Sequence, residues 1–236
     1  LADHPAAAKG TFDDSDWRVL NVPHDWAFEA DYAEDAAQRD KGGYKPGGIG
    51  WYRKTFELPQ SWKDKKVRIE FDAVYMNSEV WINGEYLGKW PYGYNSFHYD
   101  LTQHLKPGKN VLSVKADSAL EPSARWYHGC GIYGHVRLVA TDAAAIAKDG
   151  IFVSPPEIFD DQATVSVETE LVGTFAGAKL ETVILDPEGE VVVKASAKAA
   201  AKMKQTLTVK NPLRWDVDTP NLYTVVSRIG DEEVKT

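Results

Sequence analysis

Apolar and polar residues alternate along most of the chain. Apolar side chains occupy every second position at 67–71, 112–114 and 165–167, with charged or hydroxyl-bearing residues between them. A period of two places each apolar set on one face of a β-strand. Turn-forming residues separate such segments, most clearly at 83–84 and 186–189. The pattern predicts an all-β chain whose short antiparallel strands pack as sandwiches.

One segment has a composition typical of a helix. Residues 194–204 are rich in Ala and Lys, which favour helices. Val193, Ala195 and Ala197 nevertheless continue the period of two from the preceding valine run. The alternation favours a strand or a loop over a helix in this segment.

The composition changes near residue 143. Seven of the eight Trp residues precede this point, and the segment 141–146 contains only small, aliphatic and polar residues. We therefore predict two domains, 1–143 and 144–236. The second has the length and the short alternating strands of an immunoglobulin-like β-sandwich.

The charge and the hydropathy of the chain argue against two classes of partner. A net charge of -8, with Lys and Arg residues scattered along the chain, disfavours nucleic acid. No apolar run approaches the ~20 residues that a membrane-spanning helix needs, so a membrane partner is not expected either. The single cysteine, Cys130, leaves the redox compartment undetermined.

Residue types found in common catalytic and cofactor sites do not form complete motifs here. The glycine-rich stretch 42–50 is followed by a strand-like segment, whereas a phosphate cradle needs a helix. His128, Cys130 and His135 lack the fourth ligand of a zinc site. No Gly-x-Ser-x-Gly segment places a nucleophile. We predict no metal and no cofactor in this chain.

Aromatic residues crowd between residues 81 and 133. Such rings fill sandwich cores, which is the interpretation that composition favours, and they also stack on the apolar faces of sugar rings. Asp25, directly before Trp26, either caps a turn or projects into a cleft and accepts hydrogen bonds from sugar hydroxyls. Arg125, beside Trp126, either pairs with a surface carboxylate, the default, or donates to a ligand.

Seven segments with recognisable motifs follow one another along nearly the whole chain. The second reads Val-Pro-His-Asp-Trp and the fourth reads Tyr-Met-Asn-Ser-Glu-Val-Trp-Ile-Asn-Gly. The segments are 12–17, 22–26, 50–56, 75–84, 93–97, 125–133 and 215–223. Together they resemble the N-terminal part of glycoside hydrolase family 2, and specifically its bacterial β-galactosidase-like branch. One departure from the family is Gly134, which stands where an Arg is usual.

The resemblance implies an architecture. A jelly-roll (galactose-binding-like) β-sandwich would extend to residue 143, with its first strand before Leu1, and an immunoglobulin-like β-sandwich would follow. A catalytic TIM barrel would come after Thr236 and carry both catalytic Glu residues of a retaining mechanism. This chain would then hold no catalytic residue, would be inactive alone, and would have its own C-terminal barrel as a partner.

The resemblance also implies a substrate and a binding site. The expected substrate is a terminal non-reducing β-D-galactoside, and Asp25 would reach its hydroxyls at the rim of the pocket. Arg125 and Trp126 would approach the same pocket from a second loop. These side chains would position the sugar so that binding energy is used in the transition state.

Other functions fit the same residues. The same architecture serves β-glucuronidases and β-mannosidases, and a stand-alone carbohydrate-binding module would need a complete site of its own. The family resemblance is compatible with a periplasmic or secreted location and with a homo-oligomer.

Overall fold

The computed structural model describes residues 3–36, 39–119 and 128–236 and confirms the all-β prediction. The chain forms two compact units, Leu1–Ala140 and Thr141–Thr236. Strands pair in the antiparallel direction in both units. None of the helices in the described ranges is long and apolar enough to cross a membrane.

The first unit is a sandwich of two sheets. Its strands are β1 (Ile49–Glu57), β2 (Lys66–Phe71), β3 (Ser78–Ile82), β4 (Glu85–Trp90), β5 (Phe97–Asp100), β6 (Lys109–Asp117) and β7 (Val136–Thr141). One sheet has the strand order β1-β6-β3-β4, and the other has the order β5-β2-β7. One α-helix, α1 (Trp26–Glu29), lies before β1, and short 3-10 helices occur at Pro5–Ala8, Arg39–Gly42 and Gln60–Trp62. This is the predicted jelly-roll sandwich.

The core of the first unit follows from the alternation of its strands. Val67, Ile69 and Phe71 of β2 are 2%, 1% and 0% exposed. The ring of Phe71 stacks on Phe97 of β5 with the centroids 4.8 Å apart, and Val114 of β6 approaches from the opposite sheet. Burying an apolar side chain of this size contributes about 1.5–3 kcal/mol to stability. The apolar face of β2 therefore holds the two sheets together.

The N-terminal segment packs on the outer face of the four-stranded sheet and is held there by one arginine. The side chain of Arg53, on β1, is only 3% exposed. Its Nε donates to Asp14 Oδ2 at 2.8 Å, and its Nη1 donates to Ser113 Oγ at 2.8 Å. Nη1 also donates to the main-chain oxygens of Lys9, at 3.0 Å, and of Ala7. The planar guanidinium suits several acceptors at once, and we call these contacts the Arg53 anchor.

Two tryptophans on the same outer face stack across an intervening strand. Trp51 of β1 and Trp81 of β3 have ring centroids 5.1 Å apart and an interplanar angle of 28°. Strand β6 lies between β1 and β3 in the sheet, so the two indoles meet above it. The Trp51 Nε1 group also donates to Asp3 Oδ1 at 3.0 Å. The stacked pair thus links β1 with β3 across β6, and Trp51 also binds the N-terminal segment.

The second unit is the immunoglobulin-like sandwich. Its strands are β8 (Ala144–Ile158), β9 (Gln162–Gly173), β10 (Lys179–Leu185), β11 (Val191–Lys198), β12 (Lys202–Lys210), β13 (Thr224–Ile229) and β14 (Glu232–Lys235). The sheets have the orders β12-β9-β8 and β11-β10-β13-β14. Val167, Ile184 and Leu207 are buried between them. Residues 194–204, with their helix-like composition, form the end of β11, a short connection and the start of β12, which confirms the prediction of a strand or a loop over a helix.

Candidate functional site

Asp25 lies at the N-terminus of α1 and joins it to a distant loop. Its Oδ1 atom accepts hydrogen bonds from the main-chain N–H groups of Ala27, at 2.8 Å, and Phe28, at 3.1 Å. The same oxygen accepts a third bond from the N–H of Cys130, at 2.9 Å. Capping of this kind satisfies main-chain donors that a helix start leaves unpaired. Asp25 therefore has the structural role that the sequence offered as one alternative.

The second carboxylate oxygen of Asp25 has a different environment. Within the part of the chain that the structure describes, no donor bonds to Oδ2. This oxygen faces Gly129, because a Cβ atom added there would lie 3.3 Å from Oδ2 and 3.3 Å from Cγ of Tyr133. An ionised carboxylate accepts through both oxygens. One oxygen of Asp25 thus fixes the local fold, and the other has no hydrogen-bond donor among the described residues.

Main-chain hydrogen bonds hold the two segments of the site in register. His24 N–H donates to the oxygen of Ile132 at 2.8 Å, and Trp26 N–H donates to that of Cys130 at 3.2 Å. Tyr75 and Gly131 exchange two further bonds, each 2.9 Å long. Backbone contacts of this kind depend little on side-chain rotamers, so they fix the main chain on both sides of Asp25.

Gly131 is the tightest point of this arrangement. Its φ of 108° lies in the region that favours glycine, and a Cβ atom there would meet the Tyr52 hydroxyl and approach Trp26 Cε3 to 3.0 Å. We expect Gly131→Ala to lower the free energy of unfolding of the first unit by about 2–4 kcal/mol, since strain and overpacking add. Chemical denaturation followed by Trp fluorescence measures this change.

The matched control for that prediction is Gly108→Ala. Gly108 also has a positive φ, 76°, but no atom lies within 4 Å of its added Cβ. Backbone strain alone costs about 1–2 kcal/mol, so Gly108→Ala should be the milder change. An equal loss of unfolding free energy in the two variants would show that the crowding around Gly131 adds nothing to the cost of the substitution.

A chain of polar contacts connects α1 with β1. Tyr52 Oη lies 2.8 Å from His24 Nδ1, and the other ring nitrogen of His24 lies 3.3 Å from Glu29 Oε2. Arg18 binds both carboxylate oxygens of Glu29, at 2.6 and 2.9 Å. Burial raises the pKa of Tyr52 well above its usual range. The hydrogen bonds from Arg18, and to a smaller extent His24, lower the pKa of Glu29 to about 2.

The low pKa of Glu29 gives a testable pH dependence. Because the folded-state pKa lies below the ordinary value of 4.5, this carboxylate stabilises the fold above pH 4.5. Its contribution is lost as the pH falls from 4.5 towards 2. An NMR titration of the Glu29 carboxyl carbon should give a midpoint of about 2. Arg18→Ala should raise this midpoint towards 4.5, and an unchanged midpoint would contradict the assigned cause.

Aromatic side chains surround the loop that carries Gly129. The Tyr133 hydroxyl donates to the oxygen of Gly93 at 2.5 Å. The imidazole of His128 stacks on Tyr75 with centroids 4.9 Å apart, and its Nδ1 atom contacts the Tyr94 hydroxyl. Burial lowers the pKa of His128 below its ordinary value and so favours the neutral ring. Among the described residues, aromatic rings therefore border the loop on this side.

The cysteine beside Asp25 has no reactive character. Cys130 is buried, and burial raises the pKa of its thiol to about 11. The thiol is therefore protonated near neutral pH and is a poor nucleophile or metal ligand. No three His, Cys, Asp or Glu side chains within the described ranges converge as a metal ion would require.

The structure describes only one of the three predicted site residues. Asp25 is described in full, whereas Arg125 and Trp126 lie outside the described residues. Sequence reasoning missed Gly129, which lies beside Asp25 Oδ2 on one side and the Tyr133 ring on the other. The motif at 131–133 was the available signal, because it belongs to the same segment as Gly129.

Comparison with known proteins confirms the family resemblance. The model of the sugar-binding domain of glycosyl hydrolases family 2 matches residues 17–142, and a second model of glycosyl hydrolases family 2 matches residues 146–236. A putative beta-glucuronidase of Formosa agariphila is 47% identical over 98% of this chain, and the beta-galactosidase BoGH2A of Bacteroides ovatus is 45% identical over 99%. The chain spans only 22% and 29% of the lengths of these two relatives.

A solved structure extends the comparison to the fold. The crystal structure of a beta-glycosidase from Bacteroides vulgatus superposes on the whole of this chain with a TM-score of 0.93 and 36% sequence identity. The chain covers 32% of that protein. The two family models together account for nearly all the described strands of both sandwiches. The chain belongs to glycosyl hydrolases family 2.

Proposed function

We propose that this chain is the non-catalytic N-terminal portion of a retaining glycoside hydrolase and that Asp25 forms part of the rim of its substrate pocket. The observation that supports this proposal most directly is the difference between the two oxygens of the Asp25 carboxylate. Oδ1 accepts hydrogen bonds from three main-chain N–H groups, and Oδ2 accepts none from the described chain. A carboxylate fixed by its own scaffold accepts a sugar hydroxyl without further ordering, which makes it a good positioning group.

The sugar that we propose is a terminal β-D-galactoside. The free oxygen of Asp25 carries negative charge, and the nearby guanidinium of Arg18 is already occupied by both oxygens of Glu29. A neutral galactose meets no repulsion there, whereas a uronic acid would bring a second carboxylate towards Asp25. The beta-galactosidase at 45% identity agrees with this choice.

The second candidate is a β-glucuronide. The relative at 47% identity is named as a putative beta-glucuronidase, which favours this sugar by similarity alone. A glucuronidase would need a cation for the sugar carboxylate from outside the described surroundings of Asp25. The two candidates therefore differ in the charge that the pocket must accept.

We also propose that residues 1–236 do not hydrolyse glycosides alone. Retaining enzymes use two carboxyl groups about 5–5.5 Å apart, one as nucleophile and one as acid and base. At the candidate site, Oδ1 of Asp25 is occupied by three main-chain N–H groups, and Arg18 lowers the pKa of Glu29 to about 2, so Glu29 cannot serve as the protonated acid. The missing pair would belong to the longer protein.

A panel of aryl β-glycosides tests this function. The panel is offered to the 236-residue chain and, in parallel, to the protein encoded by the complete reading frame. We expect the longer protein alone to hydrolyse the galactoside. Turnover of the glucuronide instead would reject the sugar while keeping the architecture, and turnover by the 236-residue chain would reject the non-catalytic role.

A galactose titration of the 236-residue chain tests the remaining alternative, a stand-alone carbohydrate-binding module. A rim that supplies one carboxylate oxygen should give no saturable binding by calorimetry. Saturation at millimolar galactose would favour the binding module, because such affinity requires a complete site.

A further inference from the structure

A series of neighbouring residues leads from the Asp25 carboxylate to a pair of exposed tyrosines. Gly129 separates Asp25 Oδ2 from the ring of Tyr133, and the Tyr133 hydroxyl binds the main chain of Gly93. Gly93 lies between Tyr92 and Tyr94 in the sequence. Gly129 and Tyr133 therefore lie between the second carboxylate oxygen of Asp25 and the segment that carries this pair of rings.

The rings of Tyr92 and Tyr94 form an open corner. Their centroids are 5.6 Å apart and their planes meet at 62°. Each side chain is 53% exposed, whereas Phe97, three residues further along, is 4% exposed. The core interpretation that composition favoured for these aromatics thus holds for Phe97 and fails for the two tyrosines. We call the pair the tyrosine corner.

The tyrosine corner is held in place from one side. Tyr94 packs edge-on against Tyr75 with centroids 5.6 Å apart, and its hydroxyl contacts His128 Nδ1. A Cβ atom on Gly93 would overlap the Tyr75 ring, so the main chain between the two tyrosines lies directly on that ring. An exposed ring that is already fixed loses little conformational freedom on binding. Such preorganised aromatic surface is typical of ligand sites rather than of a solvated loop.

We propose that the tyrosine corner binds the ring that follows the terminal sugar, on the leaving-group side of the scissile bond. This inference rests on the proposed function, since Asp25 would hold the terminal sugar itself. A pyranose presents C–H groups on one face that pack on an aromatic ring, and a phenolic hydroxyl can pair with a sugar hydroxyl. An aromatic leaving group offers the same flat apolar face, so both kinds of ring fit the corner.

The test uses the protein encoded by the complete reading frame. It compares the hydrolysis of substrates that share the same terminal sugar. The substrates are the methyl β-glycoside, the 4-nitrophenyl β-glycoside and the β-1,4-linked disaccharide with glucose. For Tyr92→Ala, the kcat/KM of at least one ring-bearing substrate should fall about three- to tenfold relative to that of the methyl glycoside. The substrate that responds identifies the ring as a sugar or an aryl group.

Two further variants separate stacking from folding. Tyr92→Leu keeps apolar volume but removes the flat ring, so it should show the same relative loss, whereas Tyr92→Phe should retain most of the wild-type ratio. Tyr86→Ala is the matched control, because Tyr86 is also 53% exposed but lies on β4, where its ring contacts Trp81. The control should leave the substrate ratios unchanged.

The outcomes distinguish this inference from the proposed function. Absence of hydrolysis by the complete protein would reject both. Normal hydrolysis with wild-type substrate ratios in Tyr92→Ala and Tyr92→Leu would reject the tyrosine corner alone, and so would an equal shift in Tyr86→Ala.

Discussion

Arg53→Leu lowers the free energy of unfolding of the first unit by about 3–5 kcal/mol, the largest stability change that we expect from one substitution. The Arg53 anchor connects a buried guanidinium with the Asp14 carboxylate, the Ser113 hydroxyl and main-chain oxygens of the N-terminal segment. Leucine supplies apolar volume but no donor. The Asp14 carboxylate and the Ser113 hydroxyl then lose the donors that Arg53 supplies, while the oxygens of Ala7 and Lys9 keep one bond each, from Ser113 Oγ and from the N–H of Phe12. Polar groups that lose a partner on burial cost more than the lost bonds themselves.

Urea unfolding followed by Trp fluorescence measures this effect. Seven of the eight Trp residues precede residue 143, so the signal reports mainly on the first unit. Arg137→Ala is the control, because Arg137 forms an ion pair with Asp72 at 2.6 Å in which both side chains are nearly half exposed. Exposed pairs contribute little, so this variant should match the wild type. A similar midpoint for Arg53→Leu and Arg137→Ala would contradict the structural role of the anchor.

Asp25→Ala should have the largest effect on activity, with kcat/KM of the complete protein lowered about 100-fold. The variant removes the free oxygen that we propose for substrate and also the cap of α1, whose loss costs about 1–2 kcal/mol of stability. Asp25→Asn keeps an oxygen for the three N–H groups and replaces the other oxygen with a donor. It should therefore stay stable while losing part of the activity.

The control for Asp25 is another aspartate that holds a turn. Asp186 Oδ1 accepts from the N–H groups of Glu188 and Glu190, at 3.1 and 2.8 Å, in the second unit. Asp186→Ala should reduce stability without changing kcat/KM. If Asp25→Ala loses stability but keeps wild-type kcat/KM below its unfolding temperature, Asp25 is a helix cap and nothing more.

The sequence predicted the strands well because their burial follows a short period. The inner face of β2 was evident from its alternation, and the same reasoning overrode helix propensity at 194–204. In both places every second side chain is the more buried one, so burial in the sheet outweighs intrinsic propensity. Local pattern and global fold agree, as they usually do in sequences that specify one structure.

The site was less predictable because its contacts join distant parts of the chain. The cap and the ligand roles of Asp25 were alternatives in the sequence, yet the structure gives each carboxylate oxygen its own environment. The bond from Tyr133 to Gly93 spans forty residues, and no periodicity reports it. Composition likewise could not tell buried Phe97 from the exposed rings of the tyrosine corner.

The stacked indoles of Trp51 and Trp81 provide an intrinsic optical reporter. Two such chromophores at 5.1 Å couple electronically and produce a paired positive and negative band in far-ultraviolet circular dichroism. The coupling requires β1 and β3 to keep their places on either side of β6. Its disappearance during unfolding would therefore mark the moment when the sheet itself separates, independently of the fluorescence of any single residue.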